Sequence, residues 1–556
     1  MTTGGQATHP RREQMFPVFG APDMDRLQRF GTPASYGGGE HLLRPGEVAP
    51  GLILVRAGRI RVAAGLEGGS RETIIVHGPG EFLGELAQLS DSPALVGAVT
   101  LEPLDALVIP SGRLRDLLVQ EAELGERIMR ALILRRVGLL ESSSAGPIVI
   151  GPADDARVLG LQTFLRRNGQ PHRVIDPGDN SCMQILVERF EIDPHLLPIV
   201  LCPSGKVLRS PSERELARCL GLLRPIDRNL SYDVAIVGAG PAGLSAAVYA
   251  ASEGLSVIVL DRQAFGGQAG ASARIENYLG FPTGISGMAL MGRAHSQAQK
   301  FGVAFAIPDE AIRLESGDNG YALRLEGGET VGARSVVIAS GAHYRRLGLP
   351  DSARFEGTSV HFWASPIEAK LCKGQEVALV GAGNSAGQAA VYLASQTKKV
   401  CLFVRRSDLG ATMSRYLVQR ILAQPNIEVL AETEICGLVE RGGLLEGVRW
   451  RSRDGRTGTC DVRHLFLFIG ADPNTDWLRD GGVELDAKGF VVTGAGGGHP
   501  LETSRAGVFA IGDVRAGSIK RVAAAVGEGA QVVAALHGRL PGTPAGTAPM
   551  LAAGVH

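Results

Sequence analysis

The chain has no net charge: 57 basic residues cancel 57 acidic ones. With neither sign in excess, nothing electrostatic favours DNA, RNA or an anionic membrane as the main partner. It also lacks a run of about 18 apolar residues, so no segment is suited to span a bilayer. The opening MTTGGQATHPRREQ has no apolar stretch of the kind a secretory signal needs. Cysteine is sparse, with seven residues (Cys182, Cys202, Cys219, Cys372, Cys401, Cys436 and Cys460) and no C-x-x-C among them. An odd, scattered set argues for a reducing, cytoplasmic setting. Glycine, by contrast, is abundant: its 75 residues are roughly twice the usual share.

At 556 residues the chain is too long for one core, and its 44% hydrophobic content fits a globular protein of two to four domains. Two breaks divide it: ESSSAGP at Glu141–Pro147, and the proline-interrupted GLLRPIDRNL at Gly221–Leu230. The expected units are 15–140, 147–222 and a large C-terminal unit from 230 to 540. Beyond Pro541, at 541–556, a Pro/Ala/Gly-rich tail predicts flexibility.

In the first unit, short apolar strands are punctuated by glycines (GLILVRAGRIRVAAG, ETIIVHGPGEFLGELAQL, AVTLEPLDALVIP), a pattern that predicts a β-roll or jelly roll. A single helix is expected after it, over RLRDLLVQEAELGERIMRALILRRVGLL. GEFLGELAQLSDSPALVGAV resembles the phosphate-binding cassette of cyclic nucleotide-binding domains. The resemblance assigns Glu85 to a ribose hydroxyl and the backbone of Gly84, Glu85, Leu86 and Ala87 to a cyclic phosphate. The arginine that the family carries soon after the proline is missing: Pro93 is followed by Ala94 and Leu95. Loss of that countercharge favours a docking or dimerisation barrel over a nucleotide sensor, with a cyclic nucleotide effector as the alternative. No helix-turn-helix follows, which disfavours DNA binding.

The second unit alternates PIVIGP, a helix, PHRVID, a helix, LLPIVLCPSGKVL and a last helix. This order resembles the thioredoxin or glutaredoxin fold, with Leu197-Pro198 where such folds keep a cis-proline turn. Asp155 and Val158 stand where the family's cysteine pair would lie, so the module is expected to be redox-silent and to serve as scaffold or docking surface. Its own Cys182, Cys202 and Cys219 have no redox spacing.

The third unit contains two glycine turns. In SYDVAIVGAGPAGLSAAVYAASEGLSVIVLDRQ, a strand runs into Gly238, Gly240 and Gly243 and then into a helix. This spacing permits a tight turn, close approach of a pyrophosphate, and close helix–sheet packing at a helix N-terminus. Asp261, at the end of the next strand, suits ribose hydroxyls. The second copy, QEVALVGAGNSAGQAAVYLASQTKKVCLFVRRS, carries Gly381, Gly383 and Gly387, with Asn384, Ser385 and Ala386 opening the helix. Val404 replaces the acid, and Arg405 and Arg406 follow it. Two guanidiniums in place of a carboxylate favour a dinucleotide with a 2′-phosphate: NADPH is preferred, with NADH as the alternative.

Together the turns resemble the low-molecular-weight thioredoxin reductases, in which an NADPH domain interrupts an FAD domain. The resemblance implies an FAD-binding domain at 230–343 and 465–540 and an NAD(P)H-binding domain at 344–464. FGGQAGASARIENYLGFPTGISG looks like the flavin cradle, which would put Gly266, Gly267, Gln268, Glu276 and Asn277 near the ring. GVFAIGDVRAGSIKRVAAAVGEGAQVV looks like the last FAD motif, with Asp513 at the ribityl chain and Lys520, Arg521 and Val522 at a helix start facing the flavin. The family commonly has Arg-Gln there, and the Lys-Arg pair adds a cation. Family enzymes are homodimers whose NADPH domain rotates during turnover.

One feature of the family is missing. Its C-x-x-C lies seventeen and fourteen residues before the first glycine of the NADPH turn, and those positions are Ala364 and Ile367. Thiol–disulfide exchange needs an attacking and a resolving sulfur, and these residues supply neither. Cys372, farther along, is expected to be core packing, while His361, Phe362 and Trp363 are open between core packing and lining the flavin.

The fold expected is therefore multidomain: a jelly roll with helix, a small α/β thioredoxin-like module, and two Rossmann-like α/β dinucleotide-binding domains. The leading function is an NADPH-dependent FAD oxidoreductase with no catalytic side chain of its own and no metal. It would pass electrons to a small carrier protein, a quinone-like molecule or a disulfide protein. Two other readings stay open: a disulfide reductase using other cysteines, and a sensor of flavin or nucleotide state.

Overall fold

The computed structural model describes residues 12–64, 72–84, 88–89, 93–142, 146–176, 197–223, 231–272, 274–317, 320–349, 352–356, 358–441, 444–495 and 498–540. Glu85, Leu86, Ala87, Cys182, the second helix expected in the small module and the C-terminal tail lie outside them.

The N-terminal strands are β1 (Thr32–Tyr36), β2 (His41–Leu43), β3 (Leu52–Ala57), β4 (Ile60–Ala64), β5 (Glu72–His77), β6 (Phe82–Leu83), β7 (Gly97–Thr100) and β8 (Leu104–Ile109). They form two antiparallel sheets, ordered β1-β8-β3-β6 and β2-β7-β4-β5. Strand β3 explains why its sequence, LILV, is uniformly apolar. Side chains alternate faces along a strand. Leu52 and Leu54 enter a core shared with the helices, while Ile53 and Val55 enter the core between the sheets. Burying each such side chain is worth about 1.5–3 kcal/mol.

The expected single helix is two, Ser111–Gln120 and Ala122–Ser142. The break falls at Glu121, whose backbone leaves the helical region (φ −111, ψ 80). Its buried carboxylate accepts a 3.1 Å bond from Arg26 Nε and pairs with Arg29. Apolar periodicity runs straight through this break because helical spacing resumes one residue later.

In the small module, β9 (Ile148–Ile150), β10 (Arg173–Ile175), β11 (Ile199–Leu201) and β12 (Val207–Arg209) form a mixed sheet ordered β10-β9-β11-β12. Strands β9 and β10 are parallel, and β11 runs antiparallel to β9 and β12. The Leu197-Pro198 peptide is cis. Asp155 precedes the helix Ala156–Arg167 and its carboxylate accepts from the Arg157 and Val158 amides, while Val158 itself is buried.

One pair of the scattered cysteines is joined here. Cys202 and Cys219 form a disulfide, with Cα atoms 6.6 Å apart. Their separation of 17 residues resembles no redox motif, yet Cys202 directly follows β11 and Cys219 ends the helix Glu213–Cys219. The disulfide weakens the argument for a reducing setting drawn from the scattered cysteines.

The C-terminal unit continues with β13 (Ser231–Val237), β14 (Val257–Leu260), β15 (Ala304–Ala306), β16 (Ala311–Gly317), β17 (Gly320–Leu325) and β18 (Thr330–Ile338). Strands β14, β13, β18, β17 and β16 lie side by side in that order, and a late strand, β29 (Val508–Ala510), joins in parallel to β18. Between β18 and β29 the chain leaves through β19 (Ala342–Tyr344) and builds a second parallel sheet. This sheet is ordered β20-β27-β21-β22-β23, from β20 (Val360–His361), β21 (Glu376–Val380), β22 (Lys399–Phe403), β23 (Ile427–Leu430) and β27 (His464–Leu467). An antiparallel meander of β24 (Thr433–Arg441), β25 (Leu444–Ser452) and β26 (Thr457–Cys460) covers one face. The return strand β28 (Ala471–Pro473) pairs antiparallel with β19, so the outgoing and incoming connections run side by side. Ser340 and Asn474 exchange two 2.8 Å bonds beside them.

Candidate functional site

The first glycine turn links β13 to the helix Pro241–Ser252. Gly238 has φ +114, and a Cβ there would lie 2.1 Å from the Ala339 carbonyl oxygen. A Cβ on Gly243 would come within 1.9 Å of the Gly238 carbonyl oxygen, so only glycine lets the helix pack this closely. The helix starts at Gly240 with no side-chain cap, leaving its first amides to a ligand. The Asp261 carboxylate accepts from the Ala239 amide at 2.9 Å and from the Gln263 and Ala264 amides. It therefore buttresses the turn as well as standing at the strand end where a ribose would come.

The cradle segment folds onto this turn. The Gly266 amide donates to the Ala239 carbonyl at 2.7 Å, and Gly266 and Gly267 both have positive φ. A Cβ on Gly267 would sit 3.0 Å from the Gly240 Cα, so the two glycine segments nearly touch. Gln268 donates to the Ala342 carbonyl, tying the cradle to the outgoing connection. Asn277 is exposed, and Glu276 is half-buried and paired with Arg420.

Asp513 lies in a short turn ahead of the helix Val522–Arg539, which no side chain caps. The carboxyl is half-buried, and this partial desolvation pushes its pKa up against the opposing pull of Lys520. No described donor bonds to it, so its oxygens are open to a ligand as well as to water. Lys520 turns back to the Asp513 carbonyl and to Ser518 Oγ at 2.9 Å, while Arg521 is exposed. Val522 opens the helix. These groups suit an FAD: close-packed glycines, two uncapped helix starts and a half-buried carboxyl with no described donor.

The second turn joins β21 to the helix Asn384–Ala394. The Gly381 amide donates to the Phe403 carbonyl at 3.1 Å, fastening the turn to the end of β22. A Cβ on Gly383 would meet nothing within 4 Å, so the space in front of the helix start is open. Gly387 faces Met413, whose Sδ would lie 2.8 Å from a Cβ there. Asn384 Oδ1 accepts from the Ser414 amide at 2.7 Å; Ser385 is exposed and Ala386 buried. Val404 is buried, and Arg405 and Arg406 emerge exposed from the same strand end, with no carboxylate within reach among the described residues. Unpaired guanidiniums beside an open helix start suit a phosphorylated ribose.

Ala364 is buried and Ile367 half-buried at the start of the helix Pro366–Leu371, which Ser365 and Glu368 close with a capping box. Cys372 sits fully buried at the end of that helix, and burial pushes its thiol up to about 12. His361 is core: its Nε2 lies 3.0 Å from His464 Nδ1, and its ring packs on Phe466. Phe362 stacks on Tyr344, and Trp363 donates to Glu368 at 3.0 Å.

Residues 232–529 match the pyridine nucleotide-disulphide oxidoreductase family, and residues 33–121 match the cyclic nucleotide-binding domain family. The chain belongs to the pyridine nucleotide-disulphide oxidoreductase family. Its relatives there include the thioredoxin reductase of Mycolicibacterium smegmatis, 35% identical over 300 residues that span 54% of this chain and 93% of that protein. The thioredoxin reductase of Treponema pallidum (strain Nichols) is 34% identical over 54% of this chain and 94% of that protein. Among solved structures, the T. acidophilum thioredoxin reductase has a TM-score of 0.52 at 30% identity, covering 55% of this chain and 98% of that chain.

In the N-terminal domain, Gly84 lies in the cassette-like segment and its carbonyl accepts from Arg135 at 2.8 Å. Ala94 and Leu95 are buried apolar residues and carry no countercharge. The sequence reading missed Arg135. Its guanidinium is buried between the Phe16 and Phe82 rings, donating to the Met15, Phe82 and Gly84 carbonyls. An arginine in an amphipathic helix carries no sign of such a role. Among the described residues no helix is long and apolar enough to cross a membrane.

Proposed function

We propose that this oxidoreductase uses NADPH and FAD and delivers electrons from the flavin directly to an external acceptor. FAD, when bound, accepts two electrons from a reduced nicotinamide and passes them on. The glycine turn at Gly238, Gly240 and Gly243 would hold its pyrophosphate, and Asp261 and Asp513 its hydroxyls. The cradle Gly266, Gly267, Gln268 and Asn277 would border the ring, and the amides opening at Val522, with Lys520 and Arg521 nearby, would stabilise negative charge on it. Gly381, Gly383, Asn384, Ser385 and Ala386 would orient the nicotinamide dinucleotide, with Arg405 and Arg406 on its 2′-phosphate.

One observation carries the direct route. Where the family resemblance calls for a sulfur pair, Ala364 and Ile367 stand in a capped helix start, and the nearby Cys372 is sealed in the core. The test uses the purified yellow protein. Anaerobic NADPH should bleach the flavin. Ferricyanide or a quinone should then be turned over, and an aromatic disulfide should not. Fast turnover of the disulfide after all accessible thiols are alkylated would refute the direct route, and an unreduced flavin would refute the enzyme.

A disulfide reductase acting through other cysteines is the competing reading. The relatives' names favour it, as does the Cys202–Cys219 disulfide in the small module. We assign that module to the thioredoxin-like class on its β10-β9-β11-β12 order. The domain limits given above, a homodimeric assembly, a cytoplasmic location and control by a cyclic nucleotide at the Gly84 cassette belong to the same proposal.

A further inference from the structure

Cys401 is the third residue of β22, and its side chain lies in the core between the parallel sheet and the meander, among Ala378, Val448 and Leu465. Cys460 ends β26 at the rim of that core and is only partly buried. Their sulfurs are 3.2 Å apart, closer than two sulfurs in ordinary van der Waals contact. Reaching a disulfide bond of about 2.05 Å needs roughly 1 Å of movement.

We propose that Cys401 and Cys460 form an oxidisable dithiol, a redox-modification site that a hydroperoxide converts to a disulfide joining β22 to β26. The roles of the two sulfurs follow from their positions. Cys460 is the one solvent reaches. Its thiol is held down by the hydrogen bond it shares with Cys401, with Lys399 adding positive charge. Cys401 is held up by that same hydrogen bond and by burial, so it keeps its proton. Cys460 thiolate is thus the attacking group and Cys401 the resolving one.

The chemistry balances in two steps. The Cys460 thiolate attacks one peroxide oxygen, the O–O bond breaks, and a sulfenic acid and hydroxide result. Cys401 sulfur then displaces the sulfenic hydroxyl, losing its proton, so that the S–S bond forms and water leaves. Both electrons go to the peroxide. The site is distinct from the glycine turns, but Cys401 lies on the strand whose end carries Val404, Arg405 and Arg406.

The test is made on the full-length flavoprotein. Reduced protein is desalted, exposed to hydrogen peroxide, alkylated, digested and mapped by mass spectrometry. The expected product is a peptide containing Cys401 linked to one containing Cys460, two hydrogens lighter than their sum and released by dithiothreitol. Cys436→Ser should leave that link intact, because Cys436 is exposed and takes no part. Cys401→Ser should stop the reaction at a dimedone-reactive Cys460. Recovery of Cys401 fully alkylated after oxidation, whether Cys460 is alkylated too or overoxidised to sulfinic acid, would overturn the proposal, and the wild-type map alone decides this.

Discussion

Arg420 donates to the carboxylate of Glu276 across 144 residues of sequence, joining the helix Arg415–Ala423 beside the second glycine turn to the cradle of the first. Arg420 is exposed and Glu276 half-buried, so water screens much of the attraction. A double-mutant cycle with Arg420→Ala and Glu276→Gln should give a coupling of about 0.5 kcal/mol. Hydrogen exchange in 415–423 should rise in either single variant, with no further rise in the double. A coupling of zero would mean the pair does not hold the two domains together.

Arg405→Ala and Arg406→Ala should each raise KM for NADPH by about tenfold or more, the loss expected for a charge-assisted contact. KM for NADH should barely move, and kcat should hold for both. Steady-state kinetics with the two nucleotides checks this, and an equal loss for both would remove these arginines from the 2′-phosphate.

Asp513→Ala should purify largely colourless. Its half-buried carboxyl lacks a described donor, so on the proposed reading it would serve a bound FAD rather than the protein's own network. The flavin-to-protein absorbance ratio should fall roughly tenfold or more, with the melting curve of the FAD-free protein unchanged.

The His361–His464 pair predicts acid sensitivity. Burial takes His361 down to about 3 and His464 to about 4, below the ordinary imidazole value of about 6.5. The unfolded chain therefore binds protons first. The stability these residues contribute is full above pH 6.5 and is lost as pH falls toward 4. Two imidazoles 3.0 Å apart share one proton between them, and a second proton would set N–H against N–H. Chemical denaturation should show a loss on the order of 4 kcal/mol between pH 7 and pH 5 from the two histidines together. His361→Leu/His464→Leu should flatten that slope.

How much was legible depended on distance along the chain. Gly238 and Gly243, or Gly381 and Gly387, act within one strand–turn–helix, so their spacing in sequence is already their spacing in space. Ala364 and Ile367 are equally local, and the missing sulfur pair could be read from position alone. LILV in β3 could be recognised as strand but not as a strand buried on both faces, because that needs the second sheet. The helix break at Glu121 was hidden because its cause, Arg26 and Arg29, lies more than 90 residues away.

By itself, then, the sequence determined the two glycine turns, the acid after one and the basic pair after the other, since backbone sterics and helix starts are set by neighbours. Only the tertiary structure decided which distant side chains meet. Cys202 reaches Cys219 over 17 residues, Cys401 reaches Cys460 over 59, and His361 reaches His464 over 103. Each pairing is made where elements remote in sequence pack against one another, and burial then sets the chemistry: it keeps the histidines neutral and gives the two thiols of β22 and β26 different roles.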